Sequence, residues 1–124
     1  VTDYEEFAAF DQFVPPSDAA WRHVCRKARR LFPLDAPLAI VRRKLPGNDA
    51  ARWYGDASGH RITISPRLAL GSAIDALLHE LTHAWLCEHD RAETDHGDAF
   101  WIVFGKFYRA WMQEPAVLDQ RSPP

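Results

Sequence analysis

Apolar side chains at Ile74, Leu77, Leu78, Leu81 and Trp85 recur at i, i+3, i+4, i+7 and i+11, which predicts an amphipathic helix from about residue 72 to 88. Any fold of this chain has to bury that stripe. Ser72 and Asp75 supply a Ser-x-x-Asp start signal for the element. The same segment carries His79-Glu80-Leu81-Thr82-His83. At about 100° per residue the two histidines stack one turn apart, roughly opposite the apolar stripe, with Ala76, Leu86 and Cys87 as neighbours on the wheel. A solvated face would carry charges there, so small and apolar neighbours around two imidazoles describe the floor of a cleft.

Two histidines and a carboxylate at this spacing are the components of a zinc site with an activated water. Both imidazoles can address one ion, while Glu80 sits too far round the helix to be an equally good ligand and is placed instead to reach a water. Zinc lowers the pKa of bound water to about 7, and a neighbouring carboxylate can take its proton. With six His and six Glu in 124 residues, the pentapeptide arises by chance in roughly one such chain in a hundred, so the helix around it decides the reading. A catalytic zinc also needs a third protein ligand. His89 lies six residues after His83, the offset of HExxHxxGxxH sites, but Leu86 stands where those sites have glycine. Glu88 and Glu93 are carboxylate candidates, although the position about twenty residues on, where a second helix would supply a glutamate in a thermolysin-like arrangement, falls among the aromatics of Phe100–Phe104. His96 is followed by Gly97, which permits an unusual backbone turn directly at a ligand before the next helix. His96 is favoured, with His89 and a carboxylate as the alternatives.

His79-Glu80-Leu81-Thr82-His83-Ala84-Trp85-Leu86, a polar loop, and then His96-Gly97-Asp98-Ala99-Phe100-Trp101 together resemble the SprT-like family of zinc metallopeptidases, which includes the Spartan proteases that act on DNA–protein crosslinks. The family pattern, HExxHA followed by HGxxF or HGxxW, is met by His79, Glu80, His83, Ala84, His96, Gly97 and Phe100. Gly59-His60-Arg61-Ile62-Thr63-Ile64-Ser65 resembles the family strand that precedes the active-site helix. The likeness covers roughly residues 20–112 and is densest from 60 to 101. It implies a zincin-like domain in which His79, His83 and His96 hold one catalytic Zn2+, Glu80 is the general base and the substrate is a protein or peptide. Many members carry a second zinc module after the catalytic domain. Cys25 and Cys87 are the only cysteines here, too few and too far apart to build one. An excised toxin or effector protease domain, and a non-catalytic zinc-containing binding module, are the alternative functions; an intact Glu80 favours the enzyme, because a purely structural site has no use for a base.

Charge is small in sum, at −2, but uneven. From Ser17 to Arg67 eleven Lys or Arg stand against four acids, a balance of +7; from Leu68 onward four stand against nine, a balance of −5. Arg22, Arg26, Arg29 and Arg30 share one helical face that suits phosphates, so DNA is a candidate partner. Asp95 or Asp98 can receive the free ring N–H of a ligand histidine, with Asp98 equally suited to the first turn of a helix. Tyr54, Tyr108 and His60 are the candidate oxyanion donors. No apolar run approaches eighteen residues and no signal peptide is legible, so no membrane span is expected. With two separated thiols, a reducing, cytoplasmic monomer is expected; Val1 as first residue is what a trimmed domain would show.

The expected fold is α+β: a single small zincin-like domain over residues 1–124, with a core of about 17–114 and terminal tails. It has an about three-stranded antiparallel sheet packed with the HExxH helix and two or three further helices. Asp3–Phe13 reads as a short helix ended by Pro15-Pro16. Ser17 caps a second helix carrying Trp21, Val24, Cys25, Ala28 and Phe32. Leu38–Leu45, Ala51–Gly55 and His60–Ser65 read as strands, the last two joined by a turn. Asp98–Gln113 reads as a helix whose Phe100, Phe104, Phe107 and Trp111 pack on the motif helix, and Pro115 ends it.

Overall fold

Ser17 caps a helix as its sequence position predicts, with its side chain accepting from the amide of Ala20 at 3.1 Å. The structure is a computed structural model that describes residues 14–56, 58–89 and 96–113. Helix α1 spans Asp18–Leu31 and buries Ala20, Trp21, Val24 and Ala28. Its last turn closes on Phe32, whose amide donates to Ala28 O at 2.9 Å, just ahead of Pro33. Lys27 is buried on this helix, its ammonium 4.2 Å above the Trp111 ring, a cation–π contact that accommodates the charge. Arg22, Arg26, Arg29 and Arg30 are exposed; Arg29 donates to Leu38 O at 2.7 Å and so also anchors the first strand.

Strands β1 (Leu38–Arg42), β2 (Ala51–Asp56) and β3 (Gly59–Ile64) form one sheet in the order β1-β3-β2. The antiparallel sheet expected from the hairpin is only half of what forms. β2 and β3 pair antiparallel from Ala51↔Ile64 to Asp56↔Gly59, whereas β1 pairs parallel with β3 from Leu38↔His60 to Arg42↔Ile64. The reason is burial. β3 is the strand whose alternate residues His60, Ile62 and Ile64 are all buried, while β2 is mostly exposed, so the last strand in sequence takes the centre and needs a neighbour on each side. The connection after β1 passes through Gly47 at φ 62, a left-handed conformation suited to glycine. In the β2–β3 turn Asp56 Oδ1 accepts from both the amide and the hydroxyl of Ser58, at 2.8 and 2.7 Å.

Helix α2, Leu70–His89, is the motif helix and begins two residues before Ser72. Its first amide is satisfied from outside the local sequence: Leu70 N donates to Val14 O at 3.0 Å, so the start does not need the Ser72 side chain. Leu70, Ala73, Leu77, Leu78 and Leu81 join Trp21, Val24, Ala28, Phe32, Ile62, Ile64 and Trp111 in one core. Helix α3, Asp98–Gln113, buries Phe100 and Trp111, with Phe104 and Phe107 partly buried against the same core. Phe107 stacks on Phe32 of the α1 end with centroids 4.3 Å apart. Both cysteines are free and half-buried, and burial pushes the Cys25 thiol up to about 11 against the pull of Arg29, Arg42 and Arg26. The result is the expected α+β domain, a mixed three-stranded sheet with three helices among the described residues. None of these helices is long and apolar enough to cross a membrane. The helix read over Asp3–Phe13 lies outside the described residues.

Leu78 has no exposed surface in this core. Truncation in Leu78→Ala is expected to lower the free energy of unfolding by about 3 kcal/mol, measured by urea denaturation. Ser17→Ala, losing only a cap, should lose about 1 kcal/mol.

Candidate metal centre

Helical spacing in α2 brings His79 and His83 to one side, with ring centroids 5.0 Å apart. The start of α3 delivers His96 to the same place. Gly97 O accepts from Trp101 N at 3.3 Å as that helix begins, so His96 stands one residue before the first turn. His96 lies 4.8 Å from the His79 ring and 5.0 Å from the His83 ring. One ligand atom from each of the three lies within 4.8 Å of the others. The Nε2 atoms of His83 and His96 are 3.1 Å apart. Two nitrogens bound at 2.0–2.1 Å to a tetrahedral zinc are about 3.3 Å apart, so this pair has nearly the required separation. Two neutral imidazoles facing each other in this way need a proton or a cation between their lone pairs. His79, His83 and His96 therefore form a group able to hold a metal ion, and the neutral nitrogen donors suit a borderline-soft one.

Phe100 packs against all three rings, at 4.9 Å from His79, 4.8 Å from His83 and 4.6 Å from His96. It has no exposed surface, and so forms a dry floor under the cluster. Trp53 of β2 stacks on His83 from the sheet side, with centroids 6.0 Å apart and planes 17° from parallel. Trp101, half-exposed, sits 5.8 Å from the His96 ring. His96 itself is exposed while His79 and His83 are half-buried, which leaves the cluster open to solvent on the α3 side.

Glu80 is buried beside these rings, with Oε2 3.2 Å from His79 Nδ1. That contact occupies Nδ1 of His79 and leaves Nε2 as its remaining nitrogen. Burial holds the His83 imidazole below its ordinary pKa; the Glu80 carboxylate opposes this, and His79 and His96 reinforce it. The neutral form is the one that can bind a metal.

Two of the competing third ligands, His89 and Glu88, are engaged elsewhere. His89 stacks on Trp85 at 3.9 Å and its Nδ1 donates to Trp85 O at 2.9 Å, closing the last turn of α2 on itself. Glu88 accepts the amides of Asp35 and Ala36 and contacts His60; Glu93 and Asp95 lie outside the described residues. Asp98 stands exposed in the first turn of α3, where it complements the helix dipole. Among the oxyanion candidates, His60 has both nitrogens committed, to Trp53 and to Glu88, which removes it from that role. Tyr54 alternates with Trp53 and so projects from the opposite face of the sheet, 78% exposed. Tyr108 stacks on Phe104, which meets His79 in turn. Trp53 was legible on β2 only as a strand residue; strand alternation gives its face but not the histidine it meets. No protein-family model and no curated protein matches the chain.

His96→Ala is expected to abolish stoichiometric metal binding, while His89→Ala retains it, as read by elemental analysis of the purified variants. Desolvation of His83 also makes the stability of the metal-free protein depend on pH. Because the folded form holds this proton less tightly than the unfolded chain, stability should fall as pH drops through about 6.5 and stop falling below the depressed folded value. Denaturant midpoints between pH 5 and 8 should show that slope, and His83→Gln should reduce it.

Proposed function

We propose that the chain is a zinc-dependent endopeptidase of the SprT-like type, with His79, His83 and His96 holding the ion and Glu80 moving the proton. The observation that carries this reading is the burial of a carboxylate against a three-histidine cluster: a structural site would gain nothing from Glu80, and an enzyme needs a base there. Bound zinc would supply Lewis acidity, polarising both a water and a substrate carbonyl. Glu80 takes a proton from the attacking water and returns it to the leaving amine nitrogen, so the amide is replaced by a carboxylic acid and an amine. Phe100 excludes water from beneath the cluster and limits the imidazoles to one approach. β2 is an edge strand of the sheet, and it carries Trp53 against His83; an extended peptide paired along that edge would run past the histidines. DNA-associated proteins are the proposed substrates, since α1 exposes Arg22 and Arg26 on one face.

Glu80→Gln is expected to keep bound zinc and lose at least about 100-fold in kcat, measured on an unstructured protein substrate. Equal cleavage by this variant would sink the mechanism, and metal binding without any cleavage by the unaltered protein would favour a non-catalytic zinc module. Stimulation of cleavage by DNA should be lost in the double variant Arg22→Glu/Arg26→Glu with basal cleavage unchanged. Cleavage that never responds to DNA would point to another substrate class, such as that of a toxin or effector protease.

A further inference from the structure

A partly buried hydrogen-bond chain runs from the side of His83 to the far end of α2. The indole N–H of Trp53 donates to His60 Nδ1 at 3.0 Å. This makes Nε2 the protonated nitrogen of His60, and that N–H donates to Glu88 Oε2 at 2.8 Å. Glu88 is itself pinned by the backbone: Oε1 accepts from the amide of Asp35 at 2.8 Å and Oε2 from that of Ala36 at 2.9 Å. Burial works to raise the Glu88 pKa, but these two amides and His60 together hold it below the ordinary carboxylate value. The His60 side chain has no exposed surface and that of Glu88 only 10%.

Such a chain is an expensive way to fill space. Apolar side chains of similar volume would stabilise the same region at least as well, so its distinctive contribution is direction: each donor has one acceptor, and the order from Trp53 through His60 to Glu88 is determined. At its upper end the oriented group is the Trp53 ring, which stacks on His83. Phe100, His79 and His96 bound the His83 ring elsewhere, and the indole covers its sheet side.

Gly55 is an independent sign of the same arrangement. It pairs with His60 across the β2–β3 ladder and lies two residues from Trp53 on the same face. A Cβ at this position would stand 2.6 Å from His60 Nδ1 and 2.8 Å from Trp53 Nε1. Only Gly47 has positive φ among the described glycines, so Gly55 is needed for space rather than for backbone freedom. Any side chain there would press on the Trp53–His60 hydrogen bond.

We propose that Trp53, tethered through His60 to Glu88 and given room by Gly55, is a positioning residue that holds the His83 imidazole in the orientation in which the three histidines accept a metal ion. The role rests on the metal reading of the cluster and not on peptidase activity. Released from its tether, the indole can rotate away and His83 regains rotamer freedom that metal binding then has to remove.

The test measures zinc affinity by competition with a chromophoric chelator, the ligand-field spectrum of the Co2+ form, and the melting temperature of the metal-free protein. Trp53→Phe keeps an aromatic ring but has no N–H, and Gly55→Ala crowds the tether. Each is expected to weaken zinc binding about 10-fold, the usual lower effect of removing an outer support, and to shift the cobalt bands. His60→Gln can accept from Trp53 and donate to Glu88 through one amide, and should stay close to the unaltered protein in both readouts. Unchanged zinc affinity and cobalt spectrum in Trp53→Phe, with only the melting temperature lowered, would overturn the proposal and leave the chain as core packing; this variant decides alone should Gly55→Ala not fold. No metal binding by the unaltered protein would overturn the metal reading along with it. Metal binding with no proteolysis would sink the peptidase and leave the positioning role intact.

Discussion

Helix α2 is covered from two directions, and the rest of the domain follows from that constraint. Its leucines Leu77, Leu78 and Leu81 have no exposed surface and meet the isoleucines of β3 and the apolar face of α1. Its histidine side is roofed by Phe100 of α3 and flanked by Trp53 of β2. A helix buried so extensively cannot have a conventional solvated face. The imidazoles are therefore trapped along the seam where the two covers meet, apart from the exposed edge at His96. Desolvation of His83 follows directly from this trapping and keeps the ring in the form that can donate a lone pair.

Polar groups inside such a domain persist only where each finds a partner. Thr82 has no exposed surface and returns its hydroxyl to Leu78 O at 2.8 Å, a solution local to one helical turn. Glu80 settles against His79. His60 and Glu88, from two elements 28 residues apart in sequence, need each other, and through Asp35 and Ala36 they tie the end of α2 to the segment entering β1. Glu80, His60 and Glu88 thus lie on the histidine side of α2, whereas its leucines face the main apolar core, where Lys27 is accommodated over Trp111.

Features carried by near neighbours are legible in the sequence alone. The helical period from Ile74 to Trp85, the cap at Ser17, the β2–β3 turn and the aromatic face of α3 depend on spacings of a few residues, and all formed as expected. Other features depend on contacts across the fold. The start of α2 moved to Leu70 because Val14 supplies a carbonyl to it, and β1 turned out parallel to β3 because the most buried strand claimed the centre. His60 and Glu88 were readable as ionisable groups near the motif, but their mutual pairing was not, since pairing depends on where β3 passes the end of α2.

By itself the sequence determined that His79 and His83 share a helical face with Glu80 between them, because 3.6 residues per turn is a local property of the backbone. It also narrowed the third partner to a few residues, of which His96 was favoured. Only tertiary structure brings one of them to the pair: α3 folds His96 over the cluster, whereas His89 is taken by Trp85 on its own helix. The ring that flanks His83 from the sheet was equally a tertiary outcome. Packing of β2 against α2 selects Trp53, and a hydrogen bond to a buried histidine on the neighbouring strand sets its angle, a relation that no spacing along the chain encodes.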